Sequence, residues 1–531
     1  MRSSGPGHAA IIVEEPVSYR MSGRTLFGLL AVLILVFFRD YAVTWDEPDH
    51  NDYGRMVARF YASGGRELPD DPYLHLYGGA FDGPASVLGG ISPLGLWHTR
   101  HLLNAAVGLI GILGTWACAR ALAGAGAAFW AATLLSVTPC WWGHMFNNPK
   151  DMPFAAGYVW CLALLLRFLA AWPAIPVRLA VTFGVVAGLT MGVRVGGVLL
   201  LGYLAIATLW PASGPDDRGI RKAAGPAAGA ALLAWGVMLL CWPYALARPV
   251  TWPVESLTRF LHYSPLKFAV IFRGESYPAT ALPWDYLPRC FSVMLPEPFL
   301  LLLAGGLVAC VIGFARGARP SRPLVGRWGL VILSAVLPVG LVIAGRSVVY
   351  NGLRHVLFVI PPLAVLAGAY MAACVEWLGK RPAVVRAAAW GLLATWLGWH
   401  LIIAVRIHPY QYAQYNAFAG GLPGALYNYE LDYWGVSYPE AIRKLSARLA
   451  AEPGPGRRWR IASCGADRAF RADLPQAFEA VDDPAGADFV AMLMGINCQG
   501  NLLQGPAFVV VDRFGVPFSC VLDRRGLRRS R

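Results

Sequence analysis

A group of carboxylates follows the first apolar segment of this 531-residue sequence. Residues 43–54 read VTWDEPDHNDYG, and the charged or proton-binding residues among them are Asp46, Glu47, Asp49, His50 and Asp52. A positioned carboxylate can act as a general base toward a hydroxyl. Asp46 and Glu47 are adjacent, so on a helix they point about 100° apart and only one of them faces a given reacting atom. We interpret Asp46 as the base and Glu47 as its support.

The same stretch predicts a helix. Tyr53, Met56, Val57, Phe60 and Tyr61 recur at helical spacing, which indicates an amphipathic helix lying in the membrane interface plane. Pro48 suits the first turn of that helix. A structural alternative for Asp46 is therefore that its side chain caps the helix.

A second polar group occurs in WWGHMFNNPKDMPFA, between two apolar segments. Its polar members are His144, Asn147, Asn148, Lys150 and Asp151. The alternative interpretation is a solvated turn, because Asn-Pro is a usual turn signal.

Further cations lie at the edges of apolar segments. Arg194 occurs in GVRVGG, and Arg354 and His355 occur in RSVVYNGLRHVLFVIPP. Charged residues at such depth are costly and usually face a cavity, although long side chains can also extend to the interface. Arg273 lies in FRGESYPATALPWDYLP, where Trp284 and Tyr286 could instead anchor the chain at the membrane surface.

The composition places these groups in an integral membrane protein. Hydrophobic residues make up 56% of the chain, charged residues 14%, and there are 20 Trp. Apolar segments long enough to cross about 30 Å of hydrocarbon predict about eleven transmembrane helices. They are residues 24–43, 98–119, 122–140, 152–172, 178–194, 195–211, 224–247, 298–315, 328–345, 356–378 and 387–406. Merging 178–211 into one span would reverse every later orientation.

The basic residues of the short loops predict the orientation. They are Arg218, Arg221, Lys222, Arg316, Arg319, Arg322, Arg327, Lys380, Arg381 and Arg386. By the positive-inside rule these loops are cytoplasmic. The tail 1–23 is then cytoplasmic, and the first apolar segment is an uncleaved anchor. The protein is predicted in the inner (plasma) membrane, with loops 44–97, 141–151, 248–297 and 346–355 on its extracytoplasmic side. The net charge of +14 reflects this orientation and contact with membrane lipids; no nucleic-acid module and no Walker A or Rossmann pattern occurs.

Residues 407–531 predict a small extracytoplasmic α/β domain. Ser437 and Glu440 have capping-box spacing before a helix, and RWRIASC and DFVAMLM read as strands. The segment AFVVVDRFGVPFSCVLDRR predicts a hairpin that turns at Phe514 and Gly515. Three cysteines, Cys464, Cys498 and Cys520, allow one disulfide of unassigned pairing, and the other seven are packing residues.

On this topology all the polar groups share one side of the membrane. A carboxylate that accepts a proton from an acceptor, together with cations that stabilise a departing phosphate, suits transfer from a phosphate leaving group. No second carboxylic acid is required, because a phosphate leaves without being protonated as a sugar alkoxide would be.

The motifs resemble those of membrane-embedded GT-C glycosyltransferases, in the branch of protein O-mannosyltransferase-like and aminoarabinose-transferase-like enzymes (bacterial glycosyltransferase family 39-like). The similar features, in matching order over about residues 40–445, are the pair Asp46 and Glu47, NPKDMPFA, FRGE followed by LPW, YNGLRHVLFVIPP, and HPYQYAQYN before YELDYWGVSY. The predicted fold is therefore a polytopic α-helical GT-C transmembrane domain, 24–406, with the α/β domain behind it.

The resemblance implies a polyprenyl phosphate sugar donor, transfer outside the cytoplasm and inversion at the anomeric carbon. It implies that Asp46 is the catalytic carboxylate of the first loop, and that Lys150, Arg194 and Arg354 contact the donor or its phosphate. Asp151, Arg273 and His355 are predicted at the same donor site. No cofactor is indicated with certainty; relatives in the wider superfamily hold a divalent metal, and Asp46 and Asp151 could do so here, but their spacing gives no ligand count.

Two other classes of function fit parts of the pattern. A transporter or flippase of a lipid-linked sugar would also have many spans and internal arginines, but transporters place polar groups near the bilayer midplane. A non-catalytic subunit that binds through the tail domain would leave the carboxylates of the first loop unexplained. The sugar and the acceptor, whether lipid, glycan or protein, are not encoded in any motif.

Overall fold

The computed structural model describes residues 17–71, 73–211, 217–262, 269–452, 458–465, 467–472, 474–494 and 505–528. Most of the predicted tail 1–23 lies outside these ranges. The first helices are α1 (Val17–Phe37), α2 (Glu47–Ala62), α3 (Asp82–Ile91), α4 (Leu96–Ser136), α5 (Pro139–Asn147), α6 (Asp151–Ala171), α7 (Val177–Met191), α8 (Leu199–Leu209) and α9 (Asp217–Cys241). A 3-10 turn, Val195–Val198, precedes α8.

The chain continues with α10 (Pro243–Ala247), α11 (Thr251–His262), strands β1 (Ala269–Phe272) and β2 (Glu275–Pro278), and helices α12 (Tyr286–Met294), α13 (Glu297–Ala315) and α14 (Arg322–Ala344). A 3-10 segment, Arg354–Val359, leads into α15 (Ile360–Gly379), which is followed by α16 (Ala383–Ile407) and α17 (Gly421–Ala425). The last elements are α18 (Tyr438–Leu449), β3 (Trp459–Cys464), α19 (Asp467–Ala472), β4 (Phe478–Ala480), β5 (Phe489–Leu493), β6 (Ala507–Arg513), β7 (Val516–Asp523) and α20 (Arg525–Arg528).

The predicted fold class, a polytopic helical membrane protein with a small sheet near its C-terminus, is confirmed. Seven of the described helices are long and apolar enough to cross a membrane: α4, α6, α9, α13, α14, α15 with its 3-10 start, and α16. Three shorter apolar helices, α1, α7 and α8, cover further predicted spans. Helix α4 contains two predicted spans joined across a kink at Gly124, which has a φ of 88°. The number of membrane crossings stays a prediction.

The core of the bundle forms where α4 packs against α6 and α15. Small residues allow close approach: a Cβ on Gly368 of α15 would lie 2.4 Å from the backbone nitrogen of Ala131 of α4. Such contacts suit association in lipid, where packing replaces the hydrophobic drive between helices.

The predicted outer hairpin 141–151 is not a solvated turn. Helix α5 occupies most of it and is buried, because Gly143 lets it approach the segment that follows α16: a Cβ there would lie 2.3 Å from the nitrogen of Tyr412. His144, Asn148 and Asp151 are each at most 2% exposed.

The first loop folds onto itself and onto the bundle. The apolar residues of α2, Tyr53, Val57 and Phe60, are buried. Helix α2 packs closely on α3, since a Cβ on Gly54 would lie 2.1 Å from the Ser86 hydroxyl. The predicted helix is therefore present, and its position in the interface plane stays a prediction.

The C-terminal sheet has the strand order β4-β3-β5-β7-β6. Strand β3 is parallel to β4 and β5, whereas β7 is antiparallel to β5 and β6. The predicted hairpin is present, and its turn has positive φ at Phe514 (53°) and Gly515 (74°). This combination matches the twist of the flanking strands.

Two details of the tail differ from or refine the prediction. The capping box is wrong: Ser437 is at the N-cap of α18 but makes no side-chain capping bond, and Glu440 instead accepts hydrogen bonds from Arg513 and Tyr410. Cys464 is disulfide-bonded and Cys520 is a free thiol. Cys498 lies outside the described residues.

Candidate active site

The predicted carboxylate of the first loop meets Arg354. Asp46 immediately precedes α2, but its side chain makes no capping bond. Its carboxylate pairs with the Arg354 guanidinium, and the Asp46 side chain remains 30% exposed while that of Arg354 is 4% exposed. The helix-cap interpretation of Asp46 therefore has no supporting contact, and extension of Arg354 to the interface is excluded.

Asp151 joins the other predicted cations to this pair. Its carboxylate accepts from Arg354 Nε at 3.2 Å and pairs with Arg194 at 2.6 Å. Lys150 Nζ lies 4.1 Å from the ring centre of Tyr77, and the Arg194 guanidinium lies 5.7 Å from the same ring. We call these five residues, Asp46, Lys150, Asp151, Arg194 and Arg354, the charged cluster.

The pKa values within the cluster follow from burial and neighbouring charge. Burial acts to raise the pKa of Asp46, but the charges of Arg354, Lys150 and His50 outweigh it, so the pKa is lowered from its ordinary value. Asp46 is therefore a carboxylate at neutral pH. Burial lowers the pKa of Lys150, and the like charges of Arg194 and Arg354 lower it further.

A hydrogen-bonded series of side chains orients Asp151. Asn148 Oδ1 accepts from the Asp151 backbone N–H at 3.0 Å, which leaves Nδ2 to donate to Asp151 Oδ2 at 3.0 Å and to His144 Nδ1 at 2.7 Å. Burial lowers the pKa of His144 to about 3, so the ring is neutral. Because Nδ1 is an acceptor, Nε2 carries the proton and donates to the Tyr433 hydroxyl at 3.2 Å.

The sequence motif ELDYWG, residues 430–435, closes over the cluster. The Trp434 ring centre lies 5.1 Å from the Arg354 guanidinium carbon, and the Trp434 carbonyl accepts from the backbone of Trp45, next to Asp46. Glu430 accepts from the backbone N–H of Asn351, in the turn before Arg354. The motif thus contacts the segments that carry both partners of the ion pair.

The Glu47 carboxylate has partners separate from those of Asp46. It is 1% exposed, accepts from the Thr44 backbone N–H at 2.9 Å and lies 3.1 Å from His101 Nε2. Nearby, Asp82 pairs with His50 and Arg100, each at 2.7 Å. These contacts hold the start of α2 against α3 and α4. Sequence reasoning missed Asp82, Arg100 and His101, because no local pattern distinguishes them from other residues at helix starts.

The remaining predicted residues lie less centrally. His355 follows Arg354, and its ring centre is 4.4 Å from that of Tyr350. Arg273 is at the turn between β1 and β2, where its exposed side chain pairs with Asp285 at 2.8 Å. Within the described residues, Arg273 contacts Asp285 and the Phe272 ring but no member of the charged cluster, and its role at the donor site stays a prediction.

Whether Asp46 and Asp151 can hold a divalent cation depends on which side chain lies between their carboxylates. The guanidinium of Arg354 pairs with both of these carboxylates. Within the described parts of the chain, no group of three or more His, Cys, Asp or Glu side chains could hold a metal ion. Asp46 and Asp151 are therefore bridged by Arg354 and do not form a ligand set for a divalent cation in this arrangement.

Fold and cluster together define a polytopic membrane protein with a charged site at one end of its helical bundle. The chain is similar to the oligosaccharyltransferase AglB from Archaeoglobus fulgidus in complex with an inhibitory peptide and a dolichol-phosphate: TM-score 0.49, 13% identity, 89% of this chain and 70% of that chain covered. It is also similar to ArnT from Cupriavidus metallidurans in the apo state: TM-score 0.48, 16% identity, coverage 96% and 99%.

A third similar structure is ArnT from the same organism bound to undecaprenyl phosphate, with a TM-score of 0.47, 17% identity and coverage of 94% and 98%. These are GT-C glycosyltransferases, the class that the sequence motifs resemble. No protein-family model and no curated protein matches the chain. With TM-scores below 0.5, the structural similarity carries no conclusion about activity.

Proposed function

We propose that this protein is a glycosyltransferase that moves a hexosyl or pentosyl group from a polyprenyl-phosphate-linked donor to an acceptor hydroxyl on the extracytoplasmic face of the membrane. The observation that carries the proposal is the position of Asp46. It is a partly exposed, ionised carboxylate that pairs with Arg354. Arg354 also pairs with Asp151, which follows Lys150 in the sequence and pairs with Arg194.

In the proposed reaction, Asp46 accepts the proton of the acceptor hydroxyl while the acceptor oxygen forms a bond to the anomeric carbon. The bond from that carbon to the phosphate oxygen breaks, and the phosphate leaves as an anion. Lys150, Arg194 and Arg354 stabilise this anion, which needs no proton. Attack from the face opposite the phosphate inverts the anomeric carbon.

The ion pair of Asp46 and Arg354 adds a step to this scheme. A carboxylate paired with a guanidinium is a weak base, because the cation stabilises its ionised form. A donor phosphate that binds Arg354 neutralises part of this charge and raises the basicity of Asp46. Donor binding would in this way prepare the base before the acceptor reacts.

The proposal is tested by incubating purified protein with labelled polyprenyl phosphate sugars and membrane extract, with the Asp46→Asn variant as control. Label is expected in a lipid, glycan or protein acceptor with the parent and not with the variant. Movement of labelled donor across a vesicle membrane without a labelled acceptor would favour the transporter or flippase. Absence of both activities with every donor tested would contradict the proposal.

A further inference from the structure

A cavity lies between the segment that follows β2 and the end of α14. Its volume is about 390 Å³, and it is lined by residues 279–284, 286 and 287 and, at and after the end of α14, by residues 342, 343, 346, 347 and 349. Asp285 does not line it and pairs instead with Arg273. Leu282, Leu287, Val342, Ile343 and Val349 form an apolar wall, and the polar lining residues include Thr280, Arg346 and Ser347. Tyr286 also lines it and accepts from the N–H of Gly352, two residues before Arg354.

In the part of the chain that the structure describes, two polar side chains of this cavity have no hydrogen-bond or ion-pair partner. Within the described residues, the Arg346 guanidinium makes no hydrogen bond or ion pair. The Ser347 hydroxyl is buried and also has no hydrogen-bond partner. A buried hydroxyl without a partner is unusual in a folded protein, and a ligand is one explanation.

The backbone at Arg346 supports the same conclusion. Its N–H bonds the Ile343 carbonyl and the next N–H, that of Ser347, bonds the Val342 carbonyl, which is the Schellman arrangement at the end of α14. Glycine usually occupies the left-handed position of this motif, but here Arg346 does, with a φ of 47°. Such strain concentrates at ligand sites.

We propose that this cavity binds the phosphate headgroup of a lipid whose chain follows the apolar wall. A planar guanidinium matches a phosphate with two parallel hydrogen bonds, and the Ser347 hydroxyl supplies a third donor. No acidic side chain lines the cavity to repel an anion. Trp284, which is 74% exposed at its rim, suits the membrane interface.

The lipid is either a membrane phospholipid or a polyprenyl phosphate, which share this headgroup chemistry. The inference goes beyond the proposed function, because binding is measured without turnover. Its failure would leave glycosyl transfer untouched, and a failure of transfer would leave this site untouched.

The test uses the full-length protein in detergent with phosphatidylglycerol that carries a photoreactive acyl chain, and with the matching diacylglycerol that lacks phosphate. Crosslinks from phosphatidylglycerol are expected in residues 279–287 and 342–349. Arg346→Gln should reduce them about tenfold through the loss of a charge-assisted bond. Arg319→Gln, at an exposed arginine in the loop before α14, should leave them unchanged.

Competition distinguishes the sources of the phosphate. Displacement by undecaprenyl phosphate at lower concentration than by unlabelled phosphatidylglycerol identifies a polyprenyl phosphate, and the reverse order identifies a phospholipid. Displacement by inorganic phosphate at similar concentration would show that the chain contributes nothing and would overturn the lipid assignment. Equal crosslinking by diacylglycerol, or parental crosslinking in Arg346→Gln, would overturn the site.

Discussion

Asp46 and Asp49, at the start of α2, have different surroundings. Asp46 pairs with the buried Arg354, whereas Asp49 pairs with Arg468 of the tail domain, whose side chain is 55% exposed. Burial raises the pKa of Asp49, with a smaller opposing effect from Arg468. The two carboxylates lie within one helical turn, so they provide a site variant and a matched control.

We expect Asp46→Asn to reduce turnover by about a hundredfold to ten-thousandfold, because the amide keeps the shape of the side chain but cannot accept the proton. Donor affinity should change little, since the lost interaction belongs to the transition state. Asp49→Asn should keep most of the activity. Turnover is measured with donor and acceptor saturating; near-parental turnover in Asp46→Asn would move the base to Glu47 or Asp151.

Lys150 is the cation of the cluster whose charge can be removed with least disruption. Arg354 compensates two carboxylates, and removing it would leave buried charge at a cost of about 3–5 kcal/mol. Lys150 instead lies over the Tyr77 ring and makes no ion pair within the described residues. Its ammonium is therefore available to an incoming phosphate.

Lys150→Gln should weaken donor binding by about 1.5–3 kcal/mol, the usual value of a hydrogen bond to a charged group. Equilibrium binding of labelled donor to the folded variant measures the loss. Lys380→Gln is the matched control, because Lys380 is exposed and, within the described residues, its ion pair is with Glu376 in the last turn of α15. Equal affinity in Lys150→Gln and the parent would remove Lys150 from the donor site.

At the scale of elements, the contacts of the segment 430–435 could not be predicted from the sequence. In the sequence, ELDYWG is part of the YELDYWGVSY segment that carries the family resemblance, but no residue of it has an assigned role there. The structure shows Tyr433 bonded to His144, 289 positions away, and Glu430 bonded to Asn351, 79 positions away. Long-range pairings of this kind leave no periodicity or spacing in the sequence.

Other features could be predicted from the sequence because they depend on local patterns. The apolar segments and the hairpin turn at Phe514 and Gly515 follow from length, hydropathy and turn chemistry. The capping box is absent although its spacing is correct, because Asp432 accepts from the Ser437 backbone N–H while Glu440 accepts from Arg513 and Tyr410. The alternative interpretation of 141–151 as a solvated turn is wrong because packing against Tyr412 buries this segment.

We call the hydrogen-bonded series of Tyr433, His144, Asn148 and Asp151 the relay. It predicts that Tyr433 helps to position Asp151. Tyr433→Phe removes the acceptor of the buried His144 Nε2–H, which costs about 1–3 kcal/mol and loosens Asn148. Turnover per folded molecule should fall about tenfold, with donor affinity less affected. Tyr427→Phe, at an exposed tyrosine, should resemble the parent. A Tyr433→Phe variant that loses only thermal stability would show that the relay is structural.

Glu430 predicts a pH dependence of stability. Burial raises its pKa to about 8, despite the opposing hydrogen bond from Asn351 and the charge of Arg354. An ordinary glutamate in the unfolded chain titrates near pH 4.3. The folded state therefore binds the extra proton between these values, and the stability from Glu430 is full below about pH 4 and is lost as pH rises toward 8.

Glu430→Gln keeps an oxygen for the Asn351 N–H and has no proton to lose. The unfolding temperature of the parent should therefore fall relative to that of the variant between pH 5 and 8.5. Glu479→Gln, at an exposed glutamate of β4, should follow the parent over the whole range. A constant difference between Glu430→Gln and the parent at every pH would contradict the raised pKa.

At the scale of the whole molecule, the charged cluster and the tail domain lie on the same side of the bundle. Arg468 of α19 pairs with Asp49 and Asp52 of α2, and Tyr433 contacts α5. Helix α14 runs from Arg322 to Ala344, close to the segment that carries Arg354, and its 23 residues span about 35 Å. Its basic start is therefore remote from the cluster.

Because the tail domain and the charged cluster lie on the same side of the bundle, an experiment that locates the tail relative to the membrane also locates the charged cluster. The positive-inside rule predicts that the basic loops at the remote end are cytoplasmic, so the tail and the cluster are outside. A reporter that is active only in the cytoplasm, fused after Arg531, should remain inactive, while the same reporter inserted at Arg319 should be active. The reverse pattern would place Asp46 in the cytoplasm. It would also remove the reason for a donor carried on the outer leaflet, since nucleotide-activated sugars are available inside; an intermediate signal in both fusions would contradict a single fixed topology.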